Sequence, residues 1–389
     1  GSSRAEALRL QSTSQPGGLG YDQGFFWGLA ELRAKQEILR LRTCEWSLTM
    51  CCRQHCAPHG DSHTATIRTS WNPSDGRGWL RSWMPHWQKR LQQPLANVFC
   101  LQEVDELWAS KLHSHFQRRG WHFAYAMTPL TYFPPIGVAL AFPGDLELEE
   151  LLMVRPAAQL KLAPSRSPST RWQRFKDWIL DHMVRNRTDE VQGAAWTLAA
   201  RKQNRLLAAK LKVKSLGCSF VVATYHMPCL FDEPLQRQAK AIHAALVRDA
   251  LMLHFPEEKS LVLAGDFNTK PEDSELQVLT EGVLAESDVA WPAALTDQGL
   301  DFAQWQAGSG SLQLRSAYAQ RGGEPEYTNY AWIEESPTPF RATLDYIFTA
   351  AAVEVVDVHR PPLVPQGDPV FPTAEQPSDH VLLAADLSL

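Results

Sequence analysis

Polar residues follow several short apolar runs of this 389-residue sequence, at the points where those runs end. The run "NVFCLQ" leads to Glu103, "SFVVATY" leads to His226, and "LVLAG" leads to Asp266 and Asn268. Because such runs are typical of buried strands, these four side chains are predicted where a strand leaves its sheet. Catalytic groups are common at such positions, on loops that a rigid scaffold holds in place.

The same pattern recurs elsewhere in the chain. Asp345 begins the run "DYIF", Asp379 and His380 precede the last run "VLLAADLSL", and "TATIRTSW" ends in Asn72. Any one of these residues alone could cap a helix, shape a turn or satisfy a core hydrogen bond. Their recurrence at strand ends favours one shared site. Carboxylate, amide and imidazole groups without a frame of thiolates suit Mg²⁺ or Mn²⁺ better than zinc.

The composition is that of a globular protein. With 389 residues, 44% of them hydrophobic, the chain is long enough to bury a large core. The formal net charge of −5 provides no global basic field, so a nucleic-acid partner would need a local basic surface. Charged residues interrupt the apolar runs well before the length of about 18 residues that a membrane-spanning helix needs, so no membrane span is predicted.

The seven cysteines indicate a reducing compartment, because their number is odd and several lie inside predicted strands. We therefore expect an intracellular protein, cytoplasmic by default. The first three residues, "GSS", resemble an expression scar, so a native signal for an organelle stays open. Residues 44–63 hold four cysteines and three histidines, but their spacing matches no paired zinc-finger pattern. We predict no zinc ligands there and leave open whether Cys51, Cys52 and Cys56 bind a metal.

The chain divides into three predicted parts. Residues 1–20 are polar and glycine-rich, which predicts a flexible segment. Residues 21–64 contain an amphipathic helix, predicted from Tyr21 to Arg42 by apolar residues at three-to-four spacing, and then the cysteine- and histidine-rich connection. Residues 65–389 form the main domain.

Strands and helices alternate in the main domain. The predicted strands are "NVFCLQ", "IGVALAF", "LLAAKLKV", "SFVVATYH", "SLVLAGDF", "LDYIF", "VEVVDV" and "VLLAADLSL", and the predicted helices run from Glu106 to Gly120, from Pro234 to Leu253 and from Ser274 to Leu279. Because these elements show no regular single-helix βαβ rhythm, two sheets packed face to face with outer helices are favoured over a doubly wound sheet.

Five motifs resemble one known family. "CLQEVDE", "AGDFNTKPEDSE", "EPEYTNY", "LDYIF" and "PSDH" occur in the order typical of the endonuclease/exonuclease/phosphatase superfamily, in particular its branch of carbon-catabolite-repression deadenylases, nocturnin and 2′,5′-phosphodiesterases. The resemblance runs from about Ile67 to Leu389. It implies a four-layer α/β sandwich of two packed mixed β-sheets with outer helices, and divalent-metal-dependent hydrolysis of a phosphoester.

The resemblance also implies a set of metal ligands. Glu103 is similar to the principal Mg²⁺ ligand of the family, with Asn72 beside it and Asp379 completing the metal shell. Asn72 departs from the family pattern, because Pro73 and polar residues follow it where the family has apolar ones. A rival alignment places "SLTMCCR" on that strand, which would leave Arg53 at the site.

Catalytic roles follow from the same resemblance. Asp266 resembles the acid that orients or deprotonates the attacking water, and Asn268 its phosphate-contacting companion. His380 resembles the histidine that binds a phosphoryl oxygen, steadied by Asp345, and His226 occupies the place of a further family histidine. Charge neutralisation, an aligned nucleophile and donors aimed at the phosphoryl oxygens are what phosphoryl transfer requires.

The motifs also bear on the substrate. Asn329 and Tyr327, in "EPEYTNY", are the expected substrate-binding residues, and "YTNY" is closer to the nuclease members than to nocturnin. In contrast, "TYHMPC" replaces the "NTHL" common among the deadenylases, which argues against poly(A).

A basic segment of residues 164–205 resembles an insertion into this domain. It contains nine Lys or Arg residues against four acids, a local charge of +5, with Trp172, Phe175, Trp178 and Ile179 at helical spacing. Two interpretations fit: a solvated helix whose aromatic rings pack on the domain, or a lid that attracts phosphates and offers a stacking face.

These observations predict a Mg²⁺-dependent phosphodiesterase that acts on RNA or another nucleotide polymer. Two alternatives stay open. The first is a phosphomonoesterase acting on a nucleotide or another small phosphate. The second is a catalytically silent binding module, although a scaffold would need none of the acidic and histidine residues.

Overall fold

The computed structural model describes residues 97–128, 136–160, 193–231, 233–308, 312–332, 337–361, 370–372 and 378–389, and the backbone of residues 38–45. Several predictions lie outside the described residues: the flexible segment 1–20, the first part of the predicted helix, the cysteine- and histidine-rich connection, Asn72 with its rival strand, and residues 164–192 of the basic segment.

Two six-stranded sheets form the centre of the domain. The first contains, in spatial order, β13 (Glu354–His359), β14 (Leu383–Ser388), β1 (Ile38–Glu45), β2 (Val98–Asp105), β4 (Ile136–Phe142) and β3 (His122–Thr128). The second contains β5 (Leu146–Val154), β6 (Leu206–Val213), β7 (Cys218–Tyr225), β8 (Leu261–Asp266), β12 (Asp345–Ala350) and β9 (Leu314–Ser316). A hairpin of β10 (Asn329–Ala331) and β11 (Phe340–Ala342) stands apart from both.

Both sheets are mixed. The pairs β1–β2 and β7–β8 are parallel, whereas the other described pairs are antiparallel. In β6, Leu207, Ala209 and Leu211 pack toward the first sheet, while Leu206 and Ala208 pack toward helices. Strands buried on both faces read as continuous apolar runs, which is why the central strands were recognisable in the sequence.

Helices cover the outer face of each sheet. The helix α1 (Glu106–Gln117) packs on the first sheet, and α2 (Ala194–Arg201), α3 (Pro234–His254) and α4 (Ser274–Glu281) pack on the second, with the short α5 (Phe302–Gly308) beside them. A third apolar cluster lies between the sheets. The predicted four-layer α/β sandwich is therefore confirmed. Within the described ranges, no helix combines the length and apolar character needed to cross a membrane.

One predicted element is wrong. The helix expected to reach Arg42 is a β-strand from Ile38 onward, because this segment pairs with β14 on one side and with β2 on the other. Its sequence, "ILRLRT", also alternates apolar and polar residues with the period of two that strands have. The first sheet therefore includes residues upstream of residue 65, where the main domain was expected to begin.

Candidate active site

The polar strand ends of the two sheets meet at one end of the sandwich. In the first sheet, β1 and β2 run parallel and finish together, with Glu45 opposite Gln102, and β14 begins at the same edge. In the second sheet, β7 and β8 finish together and β12 begins beside them. The Gln102 side chain donates to Thr224 Oγ1 at 2.8 Å, which joins the two sheets at this edge. The strand topology thus brings to one end of the domain the strand ends next to Glu103, His226, Asp266, Asp345 and His380.

Close approach of β7 and β8 depends on a glycine. Gly265 has a φ of +155°, and a Cβ atom there would lie 2.0 Å from the carbonyl oxygen of Tyr225. Any other residue would push the two strands apart. The N–H of Met227 then donates to the carbonyl oxygen of Asp266 at 2.8 Å. This contact holds His226 beside Asp266.

Asp266 is a buried carboxylate surrounded by donors. The backbone N–H of Asn268 donates to Oδ1 at 2.8 Å, the Asn268 side-chain amide donates to Oδ2 at 2.9 Å, and His226 Nε2 lies 3.2 Å from Oδ2. Burial raises the pKa of Asp266. The hydrogen bond from His226, the charges of His226 and His380 and the hydrogen bond from the Asn268 N–H lower this pKa, and together they outweigh the effect of burial. The net shift is downward, so Asp266 is ionised at neutral pH.

Asn268 is held in an unusual backbone conformation. Its φ is +46°, in the left-handed region that non-glycine residues rarely adopt. Its side-chain amide donates to the carbonyl oxygen of Met227 at 3.0 Å as well as to Asp266, and its own carbonyl oxygen accepts from Lys240 Nζ at 2.8 Å. Both amide protons are therefore used inside the protein, and strain of this kind is concentrated at functional sites.

A second buried pair faces the first. Asp345 lies opposite Asp266 in the antiparallel register of β12 and β8, and its Oδ2 lies 2.7 Å from His380 Nδ1. Thr328 Oγ1 accepts from the backbone N–H groups of Leu344 at 2.8 Å and of Asp345 at 3.0 Å. Burial raises the pKa of Asp345, an effect that the charge of His380 and its hydrogen bond only partly offset. The site thus contains two facing carboxylates, each beside a histidine.

Two further acids, Glu103 and Asp379, were predicted as metal ligands. Glu103 is half-buried with a φ of +51°, at a register shift between β2 and β4. Asp379 is half-buried, and its buried Oδ1 has no hydrogen-bond partner among the described residues. A buried carboxylate oxygen without a donor suits a cation ligand. Within the described ranges, no group of three or more His, Cys, Asp or Glu residues is arranged to hold a metal ion.

The two expected substrate-binding residues, Asn329 and Tyr327, lie in different places relative to the site. Asn329 is buried and its backbone forms a bridge with His380, while the next residue, Tyr330, donates its N–H to the carbonyl oxygen of Asp379 at 2.9 Å. The structure therefore brings Asn329 to the site. Tyr327 is only 2% exposed, and the Arg341 guanidinium lies 4.6 Å from its ring centre. Tyr327 is therefore buried beside Arg341 of β11 rather than on an open surface.

Three supporting residues were missed in the sequence. Thr328 lies inside the "YTNY" motif, but a threonine among aromatic residues carries no signal of its own. Lys240 interrupts the buried face of α3, and this charged residue among alanines was a usable signal. Gln102 precedes Glu103, and its link to Thr224 depends on contact between the two sheets.

Comparison with known proteins identifies relatives of this chain. Residues 213–380 match the model of the Endonuclease/Exonuclease/phosphatase family. Carbon catabolite repressor protein 4 homolog 4 of Arabidopsis thaliana is 26% identical over 317 residues, which cover 76% of this chain and 67% of that protein. The 2′,5′-phosphodiesterase 12 of Bos taurus is 30% identical over 132 residues, which cover 33% of this chain and 19% of that protein.

A solved structure shares the fold. ANGEL2, a 2′,3′-cyclic phosphatase in complex with adenosine-2′,3′-vanadate, matches with a TM-score of 0.58 at 17% identity, over 90% of this chain and 95% of that chain. These similarities confirm the predicted resemblance to the endonuclease/exonuclease/phosphatase superfamily and to its deadenylase and nocturnin branch.

Proposed function

Because residues 213–380 match the model of the Endonuclease/Exonuclease/phosphatase family, we propose that this protein is a Mg²⁺-dependent phosphodiesterase that cleaves RNA or another nucleotide polymer. Hydrolysis of a phosphoester bond is the reaction class of that family. The observation that carries the proposal is the pair of facing carboxylates, Asp266 and Asp345, each beside a histidine at one end of the two sheets. Such an arrangement supplies both an acceptor for water and a donor for a phosphoryl oxygen.

Asp266 is assigned to the attacking water. Its lowered pKa keeps it ionised, so it accepts a hydrogen bond from the water and orients a lone pair toward phosphorus. Asn268 donates two hydrogen bonds to this carboxylate, and its side-chain amide also donates to the carbonyl oxygen of Met227. We therefore propose that Asn268 positions Asp266, whereas the sequence predicted a contact with the phosphate. His226 fixes Oδ2 from the other side.

His380 is assigned to the phosphoryl oxygens. Asp345 engages Nδ1, so Nε2 is the nitrogen with which His380 would donate to a substrate oxygen. Buried Asp345 also stabilises positive charge on the ring as negative charge develops on the phosphoryl group. A donor that strengthens its contact in the transition state raises kcat more than it lowers KM.

Glu103 and Asp379 would hold the metal ion. Their carboxylates are hard oxygen ligands, and the buried Oδ1 of Asp379 lacks a donor among the described residues. Mg²⁺ keeps several of its waters and needs only one or two carboxylates from the protein, so this small donor set fits. When bound, the ion would neutralise charge on the phosphoryl oxygens.

A screen of substrates tests the proposal. The protein is incubated with Mg²⁺ and short RNA, DNA, 2′,5′-linked oligonucleotides, nucleoside 2′,3′-cyclic phosphates or phosphate monoesters, and the products are identified by mass. Asp266→Asn is the matched control, because it keeps the shape of the side chain and removes its charge. We expect cleavage of an oligonucleotide that needs Mg²⁺ and is lost in the variant. Turnover of monoesters alone would favour the phosphomonoesterase, and no turnover of any substrate would favour a binding module.

A further inference from the structure

A small cavity lies next to the loop that carries Asp266 and Asn268. Its volume is about 120 Å³, and it is lined by Phe231, Arg237, Lys240, Lys270 and Asp273. A space of this size accommodates several water-sized groups, since one water needs only about 10–15 Å³ in the same measure. The cavity therefore has the size for a phosphate group.

The cavity adjoins the catalytic loop directly. Lys240 Nζ donates to the carbonyl oxygen of Asn268 at 2.8 Å, and Lys270 follows Asp266 by only four residues, which span at most about 14 Å. On the other side, Phe231 packs against Phe340 of β11 with 6.3 Å between ring centres. Because the β10–β11 hairpin also carries Asn329, the cavity lies between two elements of the proposed active site.

The charges around the cavity favour an anion. Three of the residues that line the cavity are cations, Arg237, Lys240 and Lys270, and one is an acid, Asp273. Two further acids, Glu275 and Asp288, lie near Arg237 but outside the lining. The amino-terminal turns of α3 and α4 both border the cavity, through Arg237 and Asp273, and each contributes partial positive charge.

The acids are already occupied by other groups. Arg237 donates to both oxygens of Glu275, at 3.1 and 2.8 Å, and Lys240 Nζ lies 3.7 Å from Glu275 Oε1. Asp273 Oδ2 accepts from the backbone N–H of Lys270 at 2.9 Å.

Two donors remain available. Within the described residues, Nη1 of Arg237 donates no hydrogen bond, and the ammonium group of Lys270 has no acid partner. Both belong to side chains that are only partly exposed. The hydrogen bonds to Glu275 therefore fix one side of the Arg237 guanidinium, while Nη1 of Arg237 and the Lys270 ammonium group belong to two residues that line the cavity.

We infer that this cavity, formed by Phe231, Arg237, Lys240, Lys270 and Asp273, binds a second phosphate group of the substrate, next to the one that is hydrolysed. The inference deepens the proposed function and rests on it. Lys270 and Arg237 would donate to the phosphate oxygens, and Lys240 would link the bound phosphate to the position of Asn268. A substrate with one phosphate would not use the cavity, whereas an oligonucleotide would.

The test compares Lys270→Ala with two matched controls. Lys270→Arg keeps the charge, and Lys259→Ala removes an exposed lysine just before β8, at the opposite end of that strand. A fluorescein-labelled RNA hexanucleotide is bound in EDTA and followed by anisotropy. The hexanucleotide and bis(p-nitrophenyl) phosphate, which has a single phosphate, are then hydrolysed with Mg²⁺.

We expect Lys270→Ala to weaken hexanucleotide binding and raise its KM about fivefold, the effect of losing one partly exposed charged hydrogen bond. The slope of log Kd against log salt should fall by about 0.7, as for one phosphate contact on a single strand. With bis(p-nitrophenyl) phosphate, the kinetic constants of Lys270→Ala should match those of the wild type within twofold. The two control variants should match the wild type within twofold on both substrates.

The outcomes separate the two proposals. Equal effects of Lys270→Ala on both substrates, or no effect on the hexanucleotide, would refute the inferred phosphate subsite. The proposed phosphodiesterase activity would not be affected by that result. Binding that depends on Lys270 without any cleavage would support the subsite and refute the phosphodiesterase. Absence of both binding and cleavage in the wild type would refute both.

Discussion

Thr328→Val tests how the site positions its second carboxylate. Thr328 is fully buried, and its hydroxyl accepts hydrogen bonds from the backbone N–H groups of Leu344 and Asp345. Valine has nearly the same shape and accepts no hydrogen bond. The substitution therefore leaves two buried donors without an acceptor and opens no cavity.

The expected magnitude follows from those two donors. A buried donor left without a partner costs about 1–3 kcal/mol, so Thr328→Val should lower the free energy of unfolding by about 2–6 kcal/mol. Thr328→Ser keeps the hydroxyl and removes one buried methyl group, which costs about 1 kcal/mol. Because the same turn holds Asp345 against His380, kcat should also fall in the valine variant and be largely retained in the serine variant.

Urea denaturation followed by tryptophan fluorescence measures the stabilities, and Mg²⁺-dependent hydrolysis of bis(p-nitrophenyl) phosphate measures kcat. If the valine variant were as stable as the serine variant, the hydroxyl would not be satisfying the two amides. A loss of stability with unchanged kcat would show that the position of Asp345 does not matter for turnover.

Three further predictions concern the charged residues of the site. Glu103→Gln should weaken Mg²⁺ binding and lower turnover by orders of magnitude with an unchanged circular dichroism spectrum, and near-normal activity would remove Glu103 as the metal ligand. Asp266→Ala and His380→Ala should each lower kcat far more than they raise KM, and the double variant should be little worse than the poorer single one; multiplicative losses would refute a single catalytic unit. The pKa of Asp345 is higher in the folded protein than in the unfolded chain. Ionisation of Asp345 therefore lowers the stability of the fold as the pH rises from the ordinary pKa of aspartate through the raised pKa of the folded state. The stability of Asp345→Asn relative to the wild type, measured by urea denaturation, should therefore increase from pH 4 to pH 8, and an equal difference at both pH values would contradict this account.

Local sequence patterns were sufficient for most elements of the domain. Central strands such as β4 and β8 are continuous apolar runs because both of their faces are buried. The helices α3 and α4 begin where predicted, at Pro234 and Ser274. The polar residues at strand ends were also visible, since a change from apolar to polar marks the point at which a chain leaves its sheet. These features depend only on neighbouring residues.

The amino-terminal strand shows where local patterns fail. Its residues, "ILRLRT", fit a helix when read together with the preceding segment, and they also fit the period of a strand. The choice depends on β14 and β2, which pair with its two edges. One of these partners lies near the opposite end of the chain, so no short window of sequence contains the information.

The types of the candidate site residues, their order and the strand ends that carry them could be read from the sequence. How these residues act on one another depends on the fold. The register of β8 and β12 sets Asp345 against Asp266, and the close approach at Gly265 holds His226 beside that carboxylate. The lowered pKa of Asp266 and the raised pKa of Asp345 follow from burial and from neighbours distant in the chain. Interaction energies between buried charges depend on distance and solvent exclusion, and folding alone sets both.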